Sequence, residues 1–255
     1  MPLKIILAFL IRDFKIEKAY RLHFLVKLAT VGFQFAVFFF LGKMVNENYF
    51  PFVFTGLLFS KIFEFTLSGI TDSIRQEQHW GTLESLLLCP KGHQRILFSM
   101  FASKTVLFFF EFLAYILIGV FFFGISLSLL KIFYLVLFWL VVIFSFYGLG
   151  LLNASYVLVF KRGDPAGWLI STLTDLLSGV YFPSNLLPLW LVKISYLLPT
   201  TYALAFIRQL LFDGTLNPGY LLIVFFSGFI LYIAGTACLK LALNSCKKNG
   251  TLGSY

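Results

Sequence analysis

The sequence predicts an all-α integral membrane protein with six transmembrane helices. Three observations lead there. Of the 255 residues, 60% are hydrophobic and only 12% charged, against roughly 25% charged in a soluble domain. The mean hydropathy of +0.91 is too high for one soluble core of this size. Apolar stretches of about 20 residues, the length that crosses a bilayer as a helix, recur along the whole chain.

Taken in order, the chain reads as one transmembrane domain over 1–255. Residues 1–21 form an amphipathic helix lying on the membrane. Leu3, Leu7, Leu10 and Phe14 recur on one face, while Lys4, Arg12, Lys15 and Lys18 meet anionic headgroups. A signal peptide is the alternative. Against it, the apolar run is short, charge follows at once, and no small-residue cleavage site is present. Spans one to five fall at 22–45, 50–74, 96–124, 132–160 and 166–182, and span six at 220–243. Asn46-Glu47-Asn48 turns the first hairpin, and the charged break 161–165 ends at Pro165.

The stretch 183–214 is apolar but carries Pro183, Pro188 and Pro199. Its two pieces are each too short to span, so it reads as a re-entrant helical hairpin entered from the outer side. A pair of interfacial helices lying flat is the alternative.

The charge balance of +9 follows the positive-inside rule rather than a nucleic-acid surface. Basic patches interleaved with aromatics suited to bases are absent, so nucleic acid is not an expected partner. Thirteen Lys and Arg fall on the side of the N-tail, the 75–95 and 161–165 loops and the C-tail. Four fall on the other side: Lys43, Lys131, Lys193 and Arg208. This puts both termini in the cytoplasm. The three cysteines, Cys89, Cys238 and Cys246, match no zinc spacing and sit in no outer loop, so neither a metal site nor a structural disulfide is expected.

Membrane enzyme chemistry has little foothold. His23, His79 and His93 lie near the cytoplasmic face without a matching serine nucleophile. The patterns H-E-x-x-H and D-x-D and the P-loop G-x-x-x-x-G-K-[ST] are all absent.

Buried charge is more informative. Lys61 and Glu64 sit inside span two, Lys104 and Glu111 inside span three. Counted at about 1.5 Å per residue from Arg75 and Arg95, Glu64 and Lys104 lie roughly 16 and 14 Å deep, Lys61 and Glu111 roughly 21 and 24 Å. Matching depth predicts the cross-helix pairs Glu64–Lys104 and Lys61–Glu111. Local pairing of Lys61 with Glu64 is the alternative, and either arrangement reads as structural rather than as a proton relay. Asp175, in span five, calls for a contact with Lys27 or for a water-filled path.

Between spans two and three stands the densest polar motif. Gly81 breaks the descending helix, Thr82 is placed to cap a new one, and Pro90 stops it. The resulting short helix over 76–90 carries a ridge of Leu83, Leu86 and Leu87. Such a ridge suits a groove on a partner, or else a helix tucked under the bundle.

Glu77, Gly81-Thr82-Leu83-Glu84, Leu86-Leu87 and Pro90 fit E-x-x-x-G-T-L-E-x-L-L-x-x-P, which resembles the type-2 family of ABC transporter permeases. Ser178-Gly179-Val180-Tyr181-Phe182-Pro183, Leu187-Pro188 and Leu198-Pro199-Thr200-Thr201-Tyr202 resemble that family's fifth span and re-entrant segment. The resemblance implies the membrane subunit of an ATP-driven exporter, itself without catalytic activity. It implies a homodimer in membrane lipid and two separate nucleotide-binding ATPase subunits, with ATP and Mg bound there and no cofactor on this chain.

The segment 76–90 would be the coupling helix, with Glu77, Trp80, Gly81, Thr82, Leu83, Glu84, Leu86 and Leu87 as its contact residues. First and fifth spans would line the path, which singles out Lys27 and Asp175. Tyr181, Phe182, Tyr196 and Tyr202 are gate candidates near the outer mouth. Most other aromatics, among 34 Phe and 12 Tyr, are expected to face lipid. The membrane would be the plasma membrane of a bacterium or archaeon. The substrate class expected is hydrophobic or amphipathic: a lipid, drug or antibiotic. A polysaccharide or lipid-linked glycan is the alternative cargo, and a polytopic membrane enzyme or passive channel the alternative class.

Overall fold

A computed structural model describes residues 2–46, 49–87, 92–125, 127–161, 164–213 and 217–248. Ten α-helices are present among them: α1 Pro2–Ala19, α2 Arg21–Val45, α3 Tyr49–His79, α4 Leu83–Leu87, α5 His93–Phe123, α6 Leu129–Phe160, α7 Pro165–Leu177, α8 Leu189–Leu197, α9 Pro199–Arg208 and α10 Pro218–Lys248. Five of these, α2, α3, α5, α6 and α10, are long and apolar enough to cross a membrane. A sixth crossing is reached if the bent pair of α8 with Pro199–Phe212, at 86° to each other, counts as one span.

Helix α3 is the centre. Phe54, Phe59, Phe63, Leu67 and Ile70 on it are all buried. Its ring contacts fix the neighbours. Phe65 stacks on Phe108 of α5 with centroids 4.2 Å apart, and Phe54 meets Phe35 of α2 at 5.1 Å. Phe63 meets Phe146 of α6 edge-on at 5.4 Å.

Pairs taken in order along each helix, such as Phe35–Phe54 with Phe39–Phe50 for α2 and Phe138–Phe59 with Phe146–Phe63 for α6, show that α2, α5 and α7 run against α3, while α6 and α10 run with it. The bundle therefore has a proximal end, where α2 begins and α3 ends, and a distal end, where α2 ends and α3 begins.

Helices α6 and α10 lie backbone to backbone. A Cβ on Gly148 would stand 2.3 Å from the Leu231 carbonyl carbon, and one on Gly235 would stand 2.4 Å from the Gly148 oxygen. On the other side, a Cβ on Gly150 would meet the Thr66 carbonyl of α3 at 2.4 Å. Small residues allow this approach, and dispersion between close-packed backbones takes the place of a hydrophobic driving force inside lipid.

The expected fifth span is the main departure. Its helix, α7, has only 13 residues, about 20 Å where the hydrocarbon core is about 30 Å. It begins soundly: Asp164 caps it by accepting from the Gly167 amide at 2.8 Å, and Pro165 fills its first turn. Asp164 also accepts from Asn153 of α6 at 2.8 Å. It ends at Leu177 because the chain turns through Gly179 at φ +82° and then meets Pro183. A 3-10 turn Ser184–Leu186, the bent α8–α9 pair and a π-helical turn Gln209–Asp213 bring the chain to the distal end.

Replacing Gly148 with Leu is expected to cost about 3 kcal/mol by forcing α6 from α10. The check is thermal unfolding of the purified protein, with a clearly lowered midpoint as the expected result.

Candidate functional site

The site begins with one carboxylate at the proximal end. Helix α3 ends at His79, and Gly81 at φ +69° sends the chain into α4. Glu77, only 1% exposed, lies one turn before that break. Arg12 of α1 pairs with one of its oxygens, and the Thr82 hydroxyl donates to the other. The Thr82 amide also donates to the Glu77 carbonyl at 2.9 Å. Thr82 thus turns its hydroxyl back onto α3, where a helix cap for α4 was expected.

Arg12 in turn holds Asp13 at 2.9 Å, and Asp13 accepts from Ser103 of α5 at 2.6 Å. The Arg12 guanidinium also lies over Phe9 at 4.8 Å and over Trp80 at 5.5 Å. One network therefore joins α1, α3, α5 and the turn into α4.

Around it, Leu83 and Leu87 are buried, at 2% and 6%, and Leu86 is partly covered by the core. The leucine ridge faces the bundle. The outward surface is Gly81, Thr82, Glu84 and Ser85, with Trp80 45% exposed. Cys89 and Pro90 lie outside the described residues. On α1, Leu3, Leu7 and Phe14 point away from the bundle, whereas Phe9 and Asp13 are buried.

Above this node lies a polar groove between α2, α3 and α5, a cavity of about 370 Å³ lined by Glu17, Lys27, Lys61, Glu64, Lys104 and Glu111 among others. The intramembrane charges do meet here, in a different pairing from the one depth predicts. Lys27 of α2 binds Glu111 of α5 at 3.1 Å. Lys61 binds Glu64 one turn away on α3 at 3.0 Å. Lys104 donates to Gln76 at 3.3 Å. Neither Glu64–Lys104 nor Lys61–Glu111 forms. Depth fixes height along a helix, but the direction a side chain takes around the helix decides its partner. The groove keeps charges of both signs in close, mostly paired contact, and one Glu17 oxygen is buried without a hydrogen-bond partner.

Asp175 lies elsewhere, on α7 against α3. It accepts from Ser60 at 2.7 Å and from Tyr181 at 3.4 Å. Lys27 is therefore not its partner, since that amine is engaged with Glu111. Tyr181 stacks on Phe38 of α2 with centroids 5.3 Å apart, and beside it Phe182 is half-buried. Tyr202 donates to the Tyr196 carbonyl at 2.8 Å and packs on Tyr220 at 5.7 Å, so these four aromatics divide between two places.

Sequence reasoning missed Arg208. Its guanidinium donates to the carbonyls of Gly179 at 2.8 Å, Val180 at 3.1 Å and Phe52 at 3.1 Å. It lies 3.5 Å from the Phe52 ring centroid. Gly56 makes room for this: a Cβ there would stand 2.3 Å from the Val180 oxygen. Irregular backbone at membrane depth must find donors inside the protein, and one forked cation serves two carbonyls of this turn and a third on α3. The available signal was an arginine in an apolar stretch on the cation-poor side.

These features define a multi-pass membrane protein with no groups of metal-ligating residues among the described residues. Its polar chemistry is concentrated in the turn after α3, a charged groove and a clamped turn. The ABC-2 type transporter family model matches residues 5–212, and the chain belongs to that family. Its members are transport subunits that normally work with an ATP-binding subunit. Comparison with curated proteins returned no match.

Arg208→Lys removes the fork while keeping the charge. It is expected to lower stability by about 2 kcal/mol through unsatisfied carbonyls. Proteolysis of the 178–213 stretch should accelerate, as read by mass spectrometry of the fragments.

Proposed function

We propose that this chain is the membrane-spanning permease of an ATP-binding cassette exporter. Two copies line a path for a hydrophobic or amphipathic substrate, and a separate ATPase seats on each turn over 80–87. The observation that carries this reading is the Glu77 node. It joins the outward surface of Trp80, Gly81, Thr82 and Glu84 to the central helix through a buried carboxylate. A push on that turn by an ATPase is then taken up by α3 and, through Arg12, by α1.

Other features support the remaining parts. The exposed residues Phe33, Val37 and Phe40 on α2 and Trp168, Leu169 and Leu173 on α7 leave apolar faces suited to a second copy. Leu3, Leu7 and Phe14 on α1 suit the headgroup boundary of the bilayer, with both termini in the cytoplasm of a bacterium or archaeon. The paired charges of the groove match a substrate with a polar head and an apolar body, such as a lipid, drug or antibiotic. ATP-driven closure would bias α3 between two positions. Because α3 carries Ser60 and Phe52, it would move the Asp175 contact and the Arg208 clamp with it.

Co-expression with an ATPase encoded beside it tests this. The pair is expected to copurify. Glu84→Lys, on the exposed face, is expected to weaken the assembly or its ATP hydrolysis by about tenfold or more. A chain that binds no ATPase and transports without ATP would overturn the reading.

A further inference from the structure

At the distal end, far from the groove, the ends of α2, α3, α5 and α6 and the π-helical turn enclose a second cavity of about 710 Å³. Its size falls within the range of small-molecule sites, roughly 300–1,000 Å³, which are mostly apolar with a few placed polar groups. Phe39, Phe50, Phe54 and Phe123 line it. Three of these rings meet one another, at centroid separations of 5.3 Å for Phe39–Phe50, 5.2 Å for Phe39–Phe123 and 5.4 Å for Phe50–Phe123.

The charged groups lining it are both lysines, Lys43 and Lys131, and no acidic residue lines it among the described residues. Lys43 lies over the Phe39 ring at 4.7 Å.

The placement of these lysines is informative. Cations are scarce on this side of the chain: Lys43, Lys131, Lys193 and Arg208. Arg208 is committed to backbone carbonyls, and Lys193, on α8, does not line the cavity. The remaining two both line this one cavity. The positive-inside bias runs against placing cations here. An apolar chamber with two ammonium groups is complementary to a molecule that carries negative charge at one end and hydrocarbon at the other. The groove differs, because two of its three lysines, Lys27 and Lys61, are already paired with carboxylates.

We propose that the distal cavity seats an acidic phospholipid, with Lys43 and Lys131 on the phosphate and the Phe39, Phe50 and Phe123 rings against an acyl chain. This site is separate from the transport reading and stands or falls without it.

Native mass spectrometry of the full chain in detergent, incubated with phosphatidylglycerol or phosphatidylcholine, tests the proposal. The wild type is expected to retain one phosphatidylglycerol per chain in preference to phosphatidylcholine. Lys43→Gln with Lys131→Gln should weaken that retention by about tenfold or more, while Lys193→Gln leaves it unchanged. Equal retention by the double variant, or equal loss in Lys193→Gln, would overturn it. A competition on the wild-type protein needs no variant. Displacement of the lipid by inorganic phosphate at the same concentration would show a simple anion site and contradict the lipid assignment; retention in its presence supports it.

Discussion

The Glu77 carboxylate has no water to turn to, and the proximal end is arranged around that constraint. A buried carboxylate must be paired and hydrogen-bonded, because desolvation of an ion in the interior costs several kcal/mol. Arg12 and Thr82 meet that need from two different chain segments. The same arginine also satisfies Asp13, which fixes Ser103 of α5. The leucines of α4 then bury against the bundle, and Trp80 and Glu84 are left facing out. A surface turn is thus attached to the most buried of the long helices.

The distal end solves a different problem. There the chain abandons the helix at Leu177 and exposes carbonyls that lipid cannot satisfy. Arg208 takes up two of them, those of Gly179 and Val180, and ties them to the Phe52 carbonyl of α3, while Gly56 lets the turn approach α3 closely. Helix α3 therefore carries both specialised regions: Glu77 near its proximal end, and Phe52, Thr55, Gly56 and Ser60 towards its distal end. Between them, Gly148, Gly150 and Gly235 let α3, α6 and α10 stack closely enough to form a stiff slab.

Much of this was legible in the sequence. Long apolar runs set the five full-length helices to within a few residues, and the E-x-x-x-G-T-L-E pattern identified the family. The pair of short helices, α8 and α9, was visible in Pro183, Pro188 and Pro199. What was not legible depends on geometry that no periodicity encodes. Arg12 and Glu77 are 65 positions apart, and nothing local says that α1 folds back over the end of α3. Helical depth matched Glu64 with Lys104, yet the rotation of α5 points Glu111 at Lys27. The fifth span looked long because apolar residues continue to Phe182, while the turn at Gly179 ends the helix five residues earlier. Asp175 called for Lys27 or a water-filled path, and it accepts from two hydroxyls, Ser60 and Tyr181.

Arg12 and Glu77 act as one unit joining α1 to the turn after α3. A double-mutant cycle on thermal unfolding, with Arg12→Met, Glu77→Gln and the two combined, measures it directly. Each single change is expected to cost about 3 kcal/mol, and the double variant little more than either, a coupling of about 2 kcal/mol or more. Losses that simply add, to within about 0.5 kcal/mol, would contradict the account.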